Sequence, residues 1–238
     1  MSAPAESALA GQAFVAIWHD LAPEGLDTFY EWHHREHMPE RLAIPGFQRG
    51  RRYRRVAGDG QEWFNLYEVD TFDVLVGPDY LARLNAPTPW TRQAVAHFRN
   101  VTRGLCRVAG SAGIGQGGTM ATLRIVAAEG AGDTLRHHLV HGAFPELLRQ
   151  VGVLGAHLGF TDADGSNLPT AEKQARNNHT DIPPWILLVE GISAEHLRRA
   201  MAGPLAPGQL VEHGANAEPL AGVYQLEAAR MRSGSSAG

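Results

Sequence analysis

Residues 26–47 read LDTFYEWHHREHMPERLAIPGF, and residues 132–153 read GDTLRHHLVHGAFPELLRQVGV. A shift of 106 positions lays Asp27-Thr28 on Asp133-Thr134, Pro39-Glu40 on Pro145-Glu146, Leu42 on Leu148 and Gly46 on Gly152. Both stretches carry helical spacing of apolar residues. The same helix written twice in one chain signals an internal duplication.

Working outward, the same shift lays Phe14–His19 (FVAIWH), a short apolar strand, over Met120–Ile125. Further on, a shift of 122 pairs Trp63 with Trp185, Leu66 with Leu188 and Glu68 with Glu190. The offset grows by sixteen, which places an insertion within Thr161–Pro183. That segment is polar and rich in Asp, Asn, Gly and Pro, and reads as a long loop covering an opening of the fold. In the first half, Pro23–Leu42 reads as a helix. Phe47–Val56 and Glu62–Asp70 read as strands joined by the turn Ala57-Gly58-Asp59-Gly60. Helical stretches then run over Phe72–Leu84 and to about Asn100, and the strand Val101–Gly110 closes the unit. Helix Ala194–Met201 and strand Gly222–Ala229 complete the second copy.

Each copy is thus a ferredoxin-like βαββαβ unit. One unit alone leaves a sheet face bare, and pairing the two faces buries it. The expected fold is α+β: tandem duplicated units, 11–112 and 119–231, with antiparallel sheets packed as a pseudo-dimeric α/β barrel. Gly110–Gly118 serves as linker, and the Ser/Gly-rich tail from Ser233 is expected to be disordered.

Composition narrows the partners. Among 238 residues, 44% are hydrophobic, enough for a sizeable core, and the net charge is −4. The positive charges are scattered except around Arg49–Arg55, which argues against a nucleic-acid partner. One cysteine, Cys106, precludes an intrachain disulfide and suits a reducing compartment. The opening MSAPAESALAG has neither a basic nor an apolar signal region, and no apolar run reaches the ~20 residues of a membrane span. A cytoplasmic protein acting on a small molecule, with homodimerisation left open, is the expectation.

The segment Glu36-His37-Met38-Pro39-Glu40-Arg41, followed by Ile44-Pro45-Gly46-Phe47 and Arg51-Arg52-Tyr53, resembles the EthD-like group of dimeric α/β-barrel proteins, here with the barrel fused in one chain. Tyr80-Leu81-Ala82-Arg83-Leu84 and Pro87-Thr88-Pro89-Trp90-Thr91 continue the resemblance over about the first 120 residues. Members of that group carry Tyr-Asn where this chain has His33-His34, which implies altered chemistry there. The wider superfamily includes cofactor-free monooxygenases, polyketide cyclases, lactone isomerases and haem-dependent enzymes, so the resemblance does not fix an activity.

On the first helix Leu26, Phe29, His33 and His37 form one stripe that points both imidazoles at the sheet. An imidazole can take or give a proton near neutrality, so His37 and His33 are the candidate catalytic pair. Strand parity puts His19 with Val15 and Ile17. Placing the more aliphatic sets toward the helices also brings Glu68, with Phe64 and Leu66, to that side as a third catalytic candidate. Trp18, His19, Asn65, Tyr67 and Trp90 are the candidate substrate-binding residues, in a region dense with aromatic side chains. The second copy has lost this set: His33 maps to Leu139, His37 to Ala143 and Trp18 to Arg124. His137, His138 and His141 lie out of register and are expected at the surface.

Three motifs carry less than they spell. His33-His34-Arg35-Glu36-His37 matches the H-x-x-E-H zinc pattern, but those peptidases are built from far larger units and the flanks here match the barrel proteins; a metal held by His33, His37 and His19 is a minor alternative. Gly113–Gly118 matches G-x-G-x-x-G, but a strand follows it, so it is a linker. The arginines of residues 49–55 alternate faces along one strand and read as edge or interface charge, the alternative being that one of them binds a substrate carboxylate. The leading function is therefore a cofactor-independent lyase, isomerase or cyclase acting on a small hydrophobic or aromatic metabolite by histidine acid–base chemistry. In it His37 moves the proton, His33 or Glu68 assists, and Asn65 or Tyr67 stabilises developing oxygen charge. A cofactor-free or haem-dependent oxidoreductase and a non-catalytic ligand-binding protein are the alternatives.

Overall fold

The structure, a computed structural model, describes residues 8–177 and 179–233. The extreme N-terminus and the tail beyond Ser233, on which the leader and disorder readings fall, lie outside the described residues. Among the described residues nine strands run in chain order: β1 (Ala13–Leu21), β2 (Phe47–Gly58), β3 (Trp63–Val69), β4 (Phe98–Ala112), β5 (Thr119–Ile125), β6 (Val153–Thr161), β7 (Thr180–Asp181), β8 (Trp185–Gly191) and β9 (Leu220–Met231). The first four pair antiparallel in the order β4-β1-β3-β2, and β9-β5-β8-β6 repeat that order. Antiparallel ladders β2–β9 and β4–β6 join the two sets edge to edge. Eight strands therefore close into one barrel with no free edge, which removes the usual aggregation hazard of an edge strand. A single chain closes this barrel, and no second copy is required for it.

The lumen is packed by Phe14, Ala16, Trp18, Tyr53, Phe64, Leu66, Cys106, Met120, Ile186, Leu188 and Tyr224. A buried ion network crosses it. Arg49 and Arg51 both donate to Glu68, and Arg51 also reaches Glu190 at 3.0 Å. Of the two readings, edge or interface charge, the second fits: β2 is hydrogen-bonded on both sides, and Arg51 bridges the two halves through Glu68 and Glu190.

Helices cover the outer face. In the first half, helix Leu26–Trp32, a π-helical turn His33–His37 and helix Met38–Ala43 run on without leaving helical backbone angles. The equivalent place in the second half holds another π-turn, His138–Ala143. Gly77-Pro78 splits the helix expected over Phe72–Leu84 into Asp73–Val76 and Pro78–Asn85, since proline disfavours helix in the residue before it. The helix expected to reach Asn100 stops at Val95, and β4 begins at Phe98. The insertion is not a plain loop. It forms helices Ala163–Asn167 and Ala171–Arg176, capped by Asp162 and Thr170, and its two-residue strand β7 lies parallel against β4. Among the described residues no helix is long and apolar enough to cross a membrane.

Candidate functional site

Because β1 and β3 pair with Val15 opposite Tyr67, Ile17 opposite Asn65 and His19 opposite Trp63, these six side chains share the face turned to the helices. Glu68 is therefore on the other face. It sits in the lumen bonded to Arg49 and Arg51, which corrects the expectation that it meets the histidines. The parity rule failed because both faces of β3 are buried, so neither is marked as apolar against the other. Trp18 is likewise in the lumen. Its Nε1 donates to Thr122 Oγ1 at 3.2 Å, Phe64 stacks on it at 4.9 Å, and Arg124 lies over its ring. It is a packing residue there, not a wall of the histidine site. Trp90 is half-buried beside the cluster of Phe29, Trp32, Trp63 and Phe98. It does not line the cavity described next.

The cavity lies between the π-turn and the sheet, lined by Ile17, Trp32, His33, His37, Asn65, Tyr67, Val95, Phe98, Glu172 and Arg176. Its volume is about 20 Å³, room for one water molecule. His33 and His37 point into it from the same side, with ring centroids 5.6 Å apart. Helix Ala171–Arg176 of the insertion supplies Glu172 and Arg176 and closes the opposite side. Its Glu172 is ion-paired with buried Arg41 beside the π-turn.

Hydrogen bonding fixes the protonation pattern. His19 Nδ1 faces the Asp20 carbonyl at 3.4 Å, and a carbonyl only accepts, so Nδ1 carries the hydrogen. Its Nε2 must then accept from Asn65 Nδ2 at 3.0 Å, which turns Asn65 Oδ1 toward the cavity without a partner. His19 is thus fully buried beneath the site, stacked on Phe98 at 4.1 Å, and positions Asn65 without lining the cavity itself. Burial, above all, pushes its pKa down to about 3.

The same reasoning applies to His33. Arg52 can only donate, and its Nη1 lies 3.4 Å from His33 Nδ1. Nε2 therefore holds the hydrogen and donates to Tyr67 Oη at 3.0 Å, leaving the Tyr67 hydroxyl hydrogen free to point into the cavity. The His37 ring makes no hydrogen bond among the described residues, and its Nδ1 is buried without a partner. Burial keeps both imidazoles neutral, well below the ordinary histidine pKa. Neighbouring His37 and Arg52 add to this at His33, and Arg41 and Arg176 at His37. Burial also raises the Tyr67 pKa, so it remains a phenol.

The zinc pattern dissolves in three dimensions, since Glu36 accepts from Thr88 and Thr91 hydroxyls at 2.6 and 3.2 Å. Among the described residues no three His, Cys, Asp or Glu side chains converge as metal ligands. A haem does not fit this arrangement either. Both nitrogens of His33 are engaged, and His37 opens on a one-water cavity between the Arg41 and Arg176 sides. Of the histidines expected at the surface, His137 and His141 are exposed, but His138 is half-buried and stacked on His213 at 3.6 Å. Sequence reasoning missed Arg176 and Glu172. Their only signal was the insertion itself.

Neither the family models nor the curated proteins contain a match to this chain. Solved structures do match over nearly its whole length. An anthrone oxidase-like protein superposes with TM-score 0.62 at 14% identity, over 97% of each chain. A candidate monooxygenase from Lactobacillus acidophilus NCFM gives 0.58 at 8% identity, over 94% of this chain and 97% of that one. A candidate chlorite dismutase gives 0.53 at 10%, over 91% and 95%. With the closed antiparallel barrel these likenesses place the chain in the ferredoxin-like, dimeric α+β-barrel fold class. The particular form is one polypeptide that supplies both halves of the barrel.

Proposed function

We propose that this chain is a proton-transfer enzyme of the isomerase, lyase or cyclase type, acting on a small substrate without a bound cofactor. The observation that carries the reading is one cavity lined by three residues that each bear a buried polar atom with no partner: His37 Nδ1, Asn65 Oδ1 and Arg176 Nε. Each such atom costs roughly 1–3 kcal/mol when left unmet, so a ligand that meets them recovers that energy. In this reading neutral His37 is the general base that removes a proton from a carbon next to a carbonyl. The electron pair moves onto the carbonyl oxygen, where the Tyr67 hydroxyl, held by His33, stabilises the charge. Asn65 accepts a hydrogen bond that orients the substrate. Protonated His37 returns its proton to a different position, or a leaving group departs. Substrate entry requires helix Ala171–Arg176 to move, since the cavity holds only a water.

The test is solvent-deuterium incorporation, read by proton NMR, into a panel of small enolisable carbonyl compounds incubated with the protein in D₂O. We expect His37→Ala to lose about 10²–10⁴-fold of the exchange rate with the melting temperature little changed. Alanine is tolerated there on packing grounds, because Ala143 occupies the equivalent place in the second half and is buried. Exchange that persists in the variant removes His37 from this role. A second reading, cofactor-free oxidation, draws support from the names of the anthrone oxidase-like and monooxygenase neighbours. It shares the first step, with molecular oxygen then attacking the carbanion, and oxygen uptake with the same panel separates it. The EthD-like resemblance of the segment Glu36–Arg41 agrees with either outcome.

A further inference from the structure

The interface between the insertion and the first half buries more positive charge than it neutralises. Arg41, Arg103 and Arg176 are all at least nine-tenths buried. Arg41 is spoken for, by Glu172 and by Glu40 at 3.3 Å. Arg103 donates to the Tyr80 hydroxyl at 3.0 Å and has no ion pair among the described residues. The Arg176 side chain makes no hydrogen bond or ion pair among the described residues, its Nε is buried without a partner, and the negative charge that acts on it, Glu172, is already paired with Arg41; Arg176 lines the histidine cavity. Half-buried Lys173 adds a further cation beside Arg103 and Arg176, and both guanidinia lower its pKa after burial does. Three buried guanidinia here share two carboxylates, Glu40 and Glu172, and a buried cation whose counterion is already held by another is disfavoured, so this region is short of negative charge.

We infer that Arg176 is the anchor for a small carboxylate, which enters the histidine cavity under helix Ala171–Arg176 and supplies the missing negative charge. A guanidinium presents paired N–H donors that match a carboxylate's two oxygens. The anion would sit where His37 and Tyr67 reach the rest of the molecule, so for the reading above it names the substrate class: a small carboxylic acid bearing an acidic C–H. The inference rests on that reading for the word substrate, but the binding site stands on the charge count alone. Arg176 lies in the segment that has no counterpart in the first half. Specificity would thus come from the insertion, and proton transfer from the first-half helix and sheet.

The experiment is thermal melting and calorimetric titration of the full chain with formate, acetate, propionate and benzoate, each against its uncharged amide. At least one carboxylate should raise the melting temperature while its amide does not. Arg176→Met should weaken that carboxylate's Kd about 10- to 100-fold, as loss of a charge-assisted hydrogen bond does. In the absence of ligand Arg176→Met should melt no lower than the parent, because it deletes an uncompensated charge. Arg176→Lys should retain part of the binding. Equal response to acid and amide, no response to any carboxylate, or a ligand-free Arg176→Met that melts markedly lower would each overturn the assignment. Carboxylate binding through Arg176 with no deuterium exchange in any bound compound would leave the anion site standing and defeat the proton-transfer reading. Exchange that needs His37 but not Arg176 would do the reverse.

Discussion

Acidification should destabilise this protein well before its carboxylates titrate, and His19 allows the size of the effect to be worked out. An unfolded-chain histidine has a pKa of about 6.5, whereas burial holds His19 near 3 in the folded state. Below pH 6.5 the unfolded chain binds a proton that the folded chain refuses, so stability is complete above that pH and falls as pH drops through it. Between pH 8 and pH 5 this one residue removes about 2 kcal/mol. His33 and His37 are shifted the same way by burial and by their cationic neighbours, and they act in the same window. Total stabilities of domains are roughly 5–15 kcal/mol, so His19 alone removes a sizeable share and the other two add in the same direction. Glu190, whose pKa is lowered despite its burial, contributes in the same direction only at more acid pH. Urea unfolding followed by tryptophan fluorescence at half-unit pH steps measures the slope directly. His19→Gln keeps an acceptor for Asn65 but cannot titrate. It should flatten the slope below pH 6 by one proton, about 1.4 kcal/mol per pH unit. A parent protein equally stable at pH 8 and pH 5, or a variant with an unchanged slope, would show that these imidazoles are not held neutral.

Three further perturbations separate chemistry from architecture. Glu68→Gln leaves Arg49 and Arg51 short of charge in the lumen and should cost about 3–5 kcal/mol in urea unfolding. Deuterium exchange by the molecules that remain folded should be normal, and a stable but inactive variant would restore Glu68 to the mechanism. Tyr67→Phe should lower exchange by about 10²–10³-fold, the effect of removing one oxyanion donor, and an active variant would count against its assigned role. Glu172→Gln weakens the pairing with Arg41 that ties the insertion down. Amide hydrogen exchange over Ala163–Arg176 should quicken, about tenfold for each 1.4 kcal/mol lost, and no change there would mean that this helix is held by other contacts.

The sequence reading was strongest where local pattern and burial agree. The duplicated helix, the strand pairs and the position of the insertion were all legible, because amphipathic spacing and turn residues act over a few positions. The stripe that turns His33 and His37 inward was legible for the same reason, since the π-turn keeps residues four apart on one face. What failed was the choice of face for β3, although parity had placed His19 correctly with Val15 and Ile17 on β1. Whether Glu68 or Tyr67 faces the helices is decided by which residue of β1 sits opposite, and one position of slip exchanges the two faces. Closure of the barrel made this worse, because it buries both faces and erases the polar alternation that marks a half-exposed strand. Arg176 could not be found from local pattern at all. Its approach to the first half depends on a helix whose docking is set by Arg41 from over a hundred residues away.

The duplication also supplies an internal control on which polar residues the fold requires. Under the two repeat offsets His19, His33 and His37 correspond to Ile125, Leu139 and Ala143, and Asn65 and Tyr67 to Leu187 and Val189. The ladder agrees, since Leu123 pairs with Leu187 and Ala121 with Val189 as Ile17 does with Asn65 and Val15 with Tyr67. All five counterparts belong to one buried hydrophobic cluster. The same layer of the same fold therefore packs with apolar residues alone, and the polar set of the first half is not a requirement of the architecture. Burying it is unfavourable in three ways: desolvated imidazoles, unmet hydrogen bonds and a guanidinium without a partner. Local rules broken together in one cavity, beside a copy that keeps them, are the pattern on which the proposed site rests. The glutamates behave in the opposite way. Glu68 and Glu190 are present in both halves and both face the lumen, each bonded to Arg51, as expected of a pair that serves the barrel itself.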